Sequence, residues 1–250
     1  MNLYYKHYER PSFRLHEGGY FMTEEMWSDY NYQNHYENEV SDCIVSTEDN
    51  INYFNEAGVV TKINQNENDY FDFSKAILDI GAGVGCYSIR TPFKKIYAFE
   101  PNRKLNALLN MNLLLHDKLD DTMVFNVLLS DKRQDILYDG VHTIMKDQYV
   151  SNIDASKFKI YRTIVLDDFE FNNIGLIKID TEGMEESILN GSINTIMSNN
   201  YPPIIFKLVE PSQDNMTTSK YESTMGLLHI IGYKVIKHYG HENIHLAIHD

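Results

Sequence analysis

The chain has 250 residues, 43% of them apolar and 12% aromatic, enough for one large α/β domain with an N-terminal extension and a full core. Its formal net charge of −14 disfavours long nucleic acid and anionic membranes as partners, though a local basic groove would still admit a small or capped RNA. The two cysteines, Cys43 and Cys86, exclude a disulfide-built scaffold and point to a reducing compartment.

Residues 1–49 are polar and rich in Tyr, His and Glu, without sustained periodicity. They read as an arm packed on the main domain, or as a lid that supplies substrate contacts. Tyr20, Phe21, Trp27, Tyr30, Tyr32 and Tyr36 would then stack on a ligand or fasten the arm down. Ser46-Thr47-Glu48-Asp49 has the pattern of a capping box and starts a helix with Ile51 and Phe54 inward, stopped at Ala57-Gly58. Residues 59–63 suit a short strand and residues 64–70 a polar loop. The boundary is therefore drawn between an arm at 1–70 and the cofactor-binding domain at 71–250.

The domain opens on Ala76-Ile77-Leu78-Asp79-Ile80-Gly81-Ala82-Gly83-Val84-Gly85, a buried strand running into a glycine turn and then a helix. A dinucleotide site wants Gly-x-Gly-x-x-Gly to seat a pyrophosphate; here the third glycine comes one residue early. A cofactor without phosphates needs no such cradle, and S-adenosyl-L-methionine is one. Asp79, near the strand end, suits its positive sulfonium. The next strand, Lys95 to Phe99, ends in Glu100-Pro101-Asn102, where an acid about 20 residues on is expected to hold ribose hydroxyls.

From Asn102, which can cap, the pattern turns helical, with Leu105, Leu108, Leu109 and Leu113 on one face. Met123 to Leu129 reads as a single strand ending at Ser130-Asp131. Residues 132–159 alternate apolar pairs with turns, as a β-hairpin insertion would. Residues 162–166 are extended. Ile174 to Ile179 is a central strand with Asp180 at its carboxyl end, followed by a short helix containing Met184, Ile188 and Leu189 and stopped by Gly191. Residues 202–210 form a further strand, residues 220–231 a helix, and residues 233–237 and 243–248 an antiparallel closing pair.

Four of these runs, taken together, resemble one family: Leu78-Asp79-Ile80-Gly81-Ala82-Gly83-Val84-Gly85, Ala98-Phe99-Glu100-Pro101-Asn102, Leu166-Asp167-Asp168-Phe169, and Ile177-Lys178-Ile179-Asp180-Thr181-Glu182-Gly183-Met184-Glu185 with Leu189-Asn190-Gly191-Ser192 behind it. The chain from Ala76 onward is similar to the FkbM family of S-adenosylmethionine-dependent methyltransferases. The resemblance implies a Rossmann-like class I methyltransferase fold: a mostly parallel seven-stranded sheet with an antiparallel last strand and helices on both faces. It also implies O-methylation, often of a sugar or polyketide hydroxyl.

Methyl transfer from a sulfonium asks the protein to align the acceptor oxygen and remove its proton. Gly81 and Gly83, with Ala82 and Gly85 in the same turn, are the expected methionine-side contacts. Glu100, followed by Pro101 and Asn102, is expected at the ribose, and Ser130 and Asp131 at the adenine. Asp180 is the first candidate for base or acceptor-orienting group, with Glu182 second; it also borders the cofactor. Lys178 joins the catalytic set, although a structural ion pair with a carboxylate such as Glu210 is favoured for it. Glu185 and Glu186 read as helix-start charges. His238, His241, His245 and His249 share no helical face, so no metal site is assigned.

The expected acceptor is a small molecule or glycan. An RNA ribose methyltransferase using Lys62, Asp180, Lys207 and Glu210 is the alternative, and a catalytically inactive cofactor-binding module a further one. The start of the sequence shows no signal peptide and no run is apolar enough to span a bilayer, so a soluble, cytoplasmic protein is expected. Nothing in the sequence sets an oligomeric state.

Overall fold

A computed structural model describes residues 13–15, 21–23, 70–138, 143–145, 158–181, 183–208, 215–237 and 243–249. The arm aromatics other than Phe21, the helix and strand expected between residues 46 and 63, and Lys62, Glu182, Glu210, His238 and His241 lie outside the described residues. Within the first 49 residues β1 (Phe13–Leu15) and β2 (Phe21–Thr23) pair antiparallel. Strands of three residues are too short to show the alternation by which a sequence reveals a strand.

The domain then runs β3 (Ala76–Ile80), α1 (Cys86–Arg90), β4 (Lys95–Phe99), α2 (Arg103–Leu115) and β5 (Thr122–Phe125). Next come β6 (Leu128–Leu129), β7 (Asp135–Tyr138), β8 (Thr143–Met145) and β9 (Lys159–Ile164), then a 3-10 turn over Leu166–Phe169. It closes with β10 (Ile174–Ile179), α3 (Glu185–Asn190), α4 (Ile193–Ser198), β11 (Ile204–Lys207), α5 (Asn215–Ile230), β12 (Tyr233–Ile236) and β13 (Ile244–His249). All residues of β3 and β10 are buried, as strands covered on both faces must be.

Seven strands form one sheet in the order β12-β13-β11-β10-β3-β4-β5. The pairings from β11 through β5 are parallel, and β13 runs against its neighbours β11 and β12. Side chains alternate between two cores. On one face Ile77, Ile96, Leu176, Ile205 and Leu246 meet Tyr87 and Ile89 of α1 and Leu109 and Leu113 of α2. On the other, Leu78, Ile80, Phe99, Ile179 and Phe206 meet Ile188 and Leu189 of α3, Ile196 of α4 and Leu228 of α5. Each such fully buried aliphatic side chain contributes about 1.5–3 kcal/mol. The chain winds outward from β3 to β5, returns to the middle at β10 and winds the other way. That reversal puts the switch point of the sheet at the carboxyl ends of β3 and β10, the place where ligands of such sheets bind.

Three local readings change. The run from Met123 to Leu129 is two strands, because Asn126 turns its amide away to donate to the carbonyls of Glu100 (2.8 Å) and Pro101 (2.9 Å). Leu128 and Leu129 then pair with β9 in a second sheet of order β6-β9-β7-β8, which enlarges the expected hairpin β7–β8 to four strands. Helix α5 begins at Asn215, a turn earlier than its apolar pattern. Asp167 caps α4 from a distance, accepting from Asn194 N (3.0 Å) and from Thr195 N and Oγ1 (2.7 Å each). No helix among the described residues is long and apolar enough to cross a membrane.

Candidate functional site

Register builds the site in two rungs on the α1–α2 face of the sheet. In the lower rung Lys178 of β10 stands beside Asp79 of β3, which stands beside Ala98 of β4. Two residues on, side chains face the same way again. The upper rung therefore reads Lys207, Asp180, Gly81, Glu100 across four adjacent strand ends.

The lower rung is closed to solvent. Lys178 Nζ lies 3.0 Å from Asp79 Oδ1, with side-chain exposures of 7% and 0%. It also donates to the Gly81 carbonyl at 2.7 Å, and Ser88 Oγ of α1 donates to Asp79 Oδ2 at 2.6 Å. Burial pulls the Lys178 ammonium toward neutrality, but Asp79, then Asp180 and Glu100, outweigh it and hold its pKa above the ordinary lysine value. The expected structural ion pair exists, but its partner is Asp79, the register neighbour. Asp79 is thus counter-charged from the neighbouring strand and takes its second contact from a side chain of α1.

In the upper rung Gly81 has φ +77°, and a Cβ on it would lie 1.8 Å from the Asp180 carbonyl oxygen. Only a residue without a side chain lets the ends of β3 and β10 come so close. The amides of Gly81 and Ala82 both donate to the Phe99 carbonyl at 3.0 Å. Gly83 N donates to Glu100 Oε2 (2.9 Å) and Asn102 N to Glu100 Oε1 (2.7 Å). Asn102 in turn caps α2 through Lys104 N at 3.0 Å. Gly85 leads into α1, packed against Leu109 of α2. Pro101 lies between Glu100 and the cap, its carbonyl held by Asn126. Glu100 is 5% exposed. Burial raises its pKa to about 7, against the pull of the Asn102 and Gly83 amides and of Lys178.

Asp180 stands at the open edge, 24% exposed, with Lys207 Nζ 3.6 Å from its Oδ1. The loop behind it is held by Glu185, whose Oε1 accepts from Thr181 N (3.1 Å), Thr181 Oγ1 (3.0 Å) and Gly183 N (3.1 Å). Glu185 is therefore a buried loop clamp as well as a helix-start residue, and burial raises its pKa. Lys220 of α5 donates to the Gly183 carbonyl from the other side, at 3.3 Å.

Ser130 and Asp131 follow β6 rather than β5. Ser130 is buried, donates its amide to the Ile164 carbonyl (3.0 Å) and lies against Gly191 at the end of α3. Of the β13 histidines, His245 is buried with Nε2 3.1 Å from the Leu208 carbonyl, and His249 stacks on Tyr201 at 4.0 Å. Three supporting residues escaped the sequence reading: Ser88, which holds Asp79, and Asn106 and Asn126, which both donate to the Glu100 carbonyl. Asn126 carried a signal, an amide directly at a strand's carboxyl end.

These contacts test the cofactor chemistry. A pyrophosphate needs unused amides at the glycine turn. Here the amides of Gly81, Ala82 and Gly83 are spent on Phe99 and on a carboxylate, which would itself repel a phosphate. A sulfonium near the acids of the upper rung, Asp180 and Glu100, with ribose hydroxyls at Glu100, fits the same set, and the Cβ position of Gly83 has nothing within 4 Å to obstruct a ligand; Asp79, buried and paired with Lys178, is closed off from it.

The methyltransferase FkbM domain family matches residues 79–235. Among solved structures, methyltransferase FkbM from Methylobacillus flagellatus KT is 17% identical with a TM-score of 0.49, covering 71% of this chain and 44% of that one. Precorrin-6y C5,15-methyltransferase from Geobacter metallireducens GS-15 is 14% identical with a TM-score of 0.43, covering 71% and 81%. The chain thus spans less than half the length of the first of these. No curated protein matches it significantly. With more than half of its residues matched, this chain belongs to the FkbM methyltransferase family, and S-adenosyl-L-methionine is its cofactor.

Proposed function

We propose that the protein is an O-methyltransferase acting on a hydroxyl of a sugar, glycan or other small molecule, with Asp180 orienting or deprotonating the acceptor. The supporting observation is the place of Asp180: a partly exposed carboxylate at the open end of the central strand, level with Gly81 and Glu100. When bound, S-adenosyl-L-methionine supplies a methyl group on a positively charged sulfur that departs as a neutral thioether. The chain's own task is to hold and deprotonate. Glu100, fixed through both oxygens, accepts from the ribose hydroxyls, and Ser130 and Asp131 border the adenine. Asp180 accepts from the acceptor hydroxyl and aims its oxygen at the methyl carbon. Residues 1–70, rich in Tyr, His and Glu in their first 49, would supply contacts to the acceptor. An RNA ribose acceptor is the second reading, favoured by Lys207 beside Asp180 and opposed by the net charge of −14.

S-Adenosylhomocysteine at 100 times its Kd is expected to add about 2.7 kcal/mol to the unfolding free energy, raising Tm by about 5–10 °C in thermal denaturation. Glu100→Ala should abolish that shift, while Asp180→Asn should keep it and lower kcat about 10²–10⁴-fold in labelled methyl transfer. A shift that survives in Glu100→Ala, or full turnover in Asp180→Asn, defeats the assignment of that residue.

The raised Glu100 pKa sets a pH dependence. Below about 7 the carboxyl holds a proton and offers fewer acceptors to the ribose, so S-adenosylhomocysteine affinity is expected to strengthen from pH 6 to 8. Stability of the ligand-free protein moves the other way. Between the ordinary glutamate value of 4.5 and about 7 the folded chain binds the proton that the unfolded chain releases, so unfolding free energy falls as pH rises across that window. Calorimetric titration and urea unfolding at pH 5, 6, 7 and 8 check both slopes; Glu100→Gln should flatten each.

A further inference from the structure

We infer that Asp180 and Lys207 form an acceptor clamp for a vicinal diol, in which one hydroxyl is methylated and its neighbour is held by Lys207. This rests on the O-methyltransferase reading above. Lysine is out of place in β11, whose other residues are Ile204, Ile205 and Phe206, all buried. Its side chain leaves the strand at the carboxyl edge, 26% exposed, on the same face and at the same level as Asp180. The two heads are 3.6 Å apart, long for a directed hydrogen bond and a separation at which neighbouring hydroxyls bridge a carboxylate and an ammonium.

The chemistry of the pair selects the ligand. A carboxylate accepts only, and an ammonium donates only. A hydroxyl does both. The hydroxyl to be methylated donates its proton to Asp180, and the next hydroxyl along accepts from Lys207. An anionic acceptor fits worse, because the ammonium faces the Asp180 carboxylate and Glu100 is in the same rung. An internal RNA ribose fits worse too, since its 3′ oxygen is esterified and a single free hydroxyl is left. In the transfer the acceptor C–O bond forms as the C–S bond breaks, sulfur keeps the electron pair, and the hydroxyl proton passes to Asp180 and on to water.

The experiment offers the full chain a panel of methyl pyranosides with vicinal hydroxyls, each beside its monodeoxy analogues, in a labelled methyl-transfer assay. At least one intact glycoside should be methylated, and removing the neighbouring hydroxyl should lower kcat/KM about 10–100-fold, the range for a hydrogen bond to a charged group. Lys207→Met should impose the same loss on the intact glycoside, mostly in KM, and none on the deoxy analogue. Lys207→Arg should recover part of it. The S-adenosylhomocysteine thermal shift is read on every variant, so a misfolded protein or a failed cofactor reading shows separately. The proposal is overturned if no diol is methylated while that shift persists. Equal rates on intact and deoxy glycosides overturn it, as does methylation confined to internal RNA ribose, or an equal loss on both acceptors in Lys207→Met.

Discussion

Replacing Lys178 by alanine is expected to cost about 3–5 kcal/mol of folding stability, the range for removing one partner of a buried ion pair. The loss comes less from the missing attraction than from what remains. Asp79 is 0% exposed, and without the ammonium its carboxylate keeps only the Ser88 hydroxyl. The Gly81 carbonyl loses its donor at the same time. Asp79→Asn should cost less, because Lys178 keeps Gly81 and the attraction of Asp180 and Glu100. The double variant Asp79→Asn, Lys178→Met should recover part of the Lys178→Ala deficit, since both charges leave together. Urea midpoints for the four proteins at constant m-value measure this. A Lys178→Ala loss under about 1 kcal/mol would mean that the pair is not what holds β3 to β10.

The second large effect is that of Gly81→Ala, expected to cost about 2–5 kcal/mol from the left-handed backbone and the overlap together. The overlap is with main chain, the Asp180 carbonyl 1.8 Å from the new Cβ, so no side chain can swing aside. The ends of β3 and β10 must part, and with them the spacing between Asp180 and Glu100. Cofactor binding should be lost even where the protein still folds. Gly83→Ala is the control: its φ is +55°, but its Cβ meets nothing within 4 Å. It should cost only the backbone strain, about 1–2 kcal/mol, and act on cofactor affinity instead. Thermal denaturation with and without S-adenosylhomocysteine separates the two.

The parts of the fold that sequence revealed are those where one strand or helix carries its own signal. β3 and β10 are apolar throughout because both faces are covered, and Glu100 stands where β4 runs out. What sequence left hidden depends on which strands lie side by side. The partner of Lys178 follows from a register between segments 97 residues apart, as the Lys178–Gly81 contact is, and no periodicity within either segment encodes it. The reason for a lysine in the otherwise apolar β11 is hidden in the same way: its counterpart, Asp180, is on the next strand. Asn126 and Glu185 were read incompletely: Asn126 leaves its strand to reach the Glu100 carbonyl, 26 residues away, and Glu185 is a helix-start residue that also turns back on the loop before it, and neither contact is written in a single segment.

The Lys178 contacts also bear on how the protein is made. The ribosome delivers Asp79 and Gly81 long before the ammonium that serves them, the Gly81 contact alone spanning 97 residues. At cellular elongation rates that interval is roughly 5–20 s. During it the nascent half-sheet carries a carboxylate with no lysine from β10 to neutralise it. The site therefore matures late in translation, and a cofactor molecule finds it competent only after the second half of the sheet has docked.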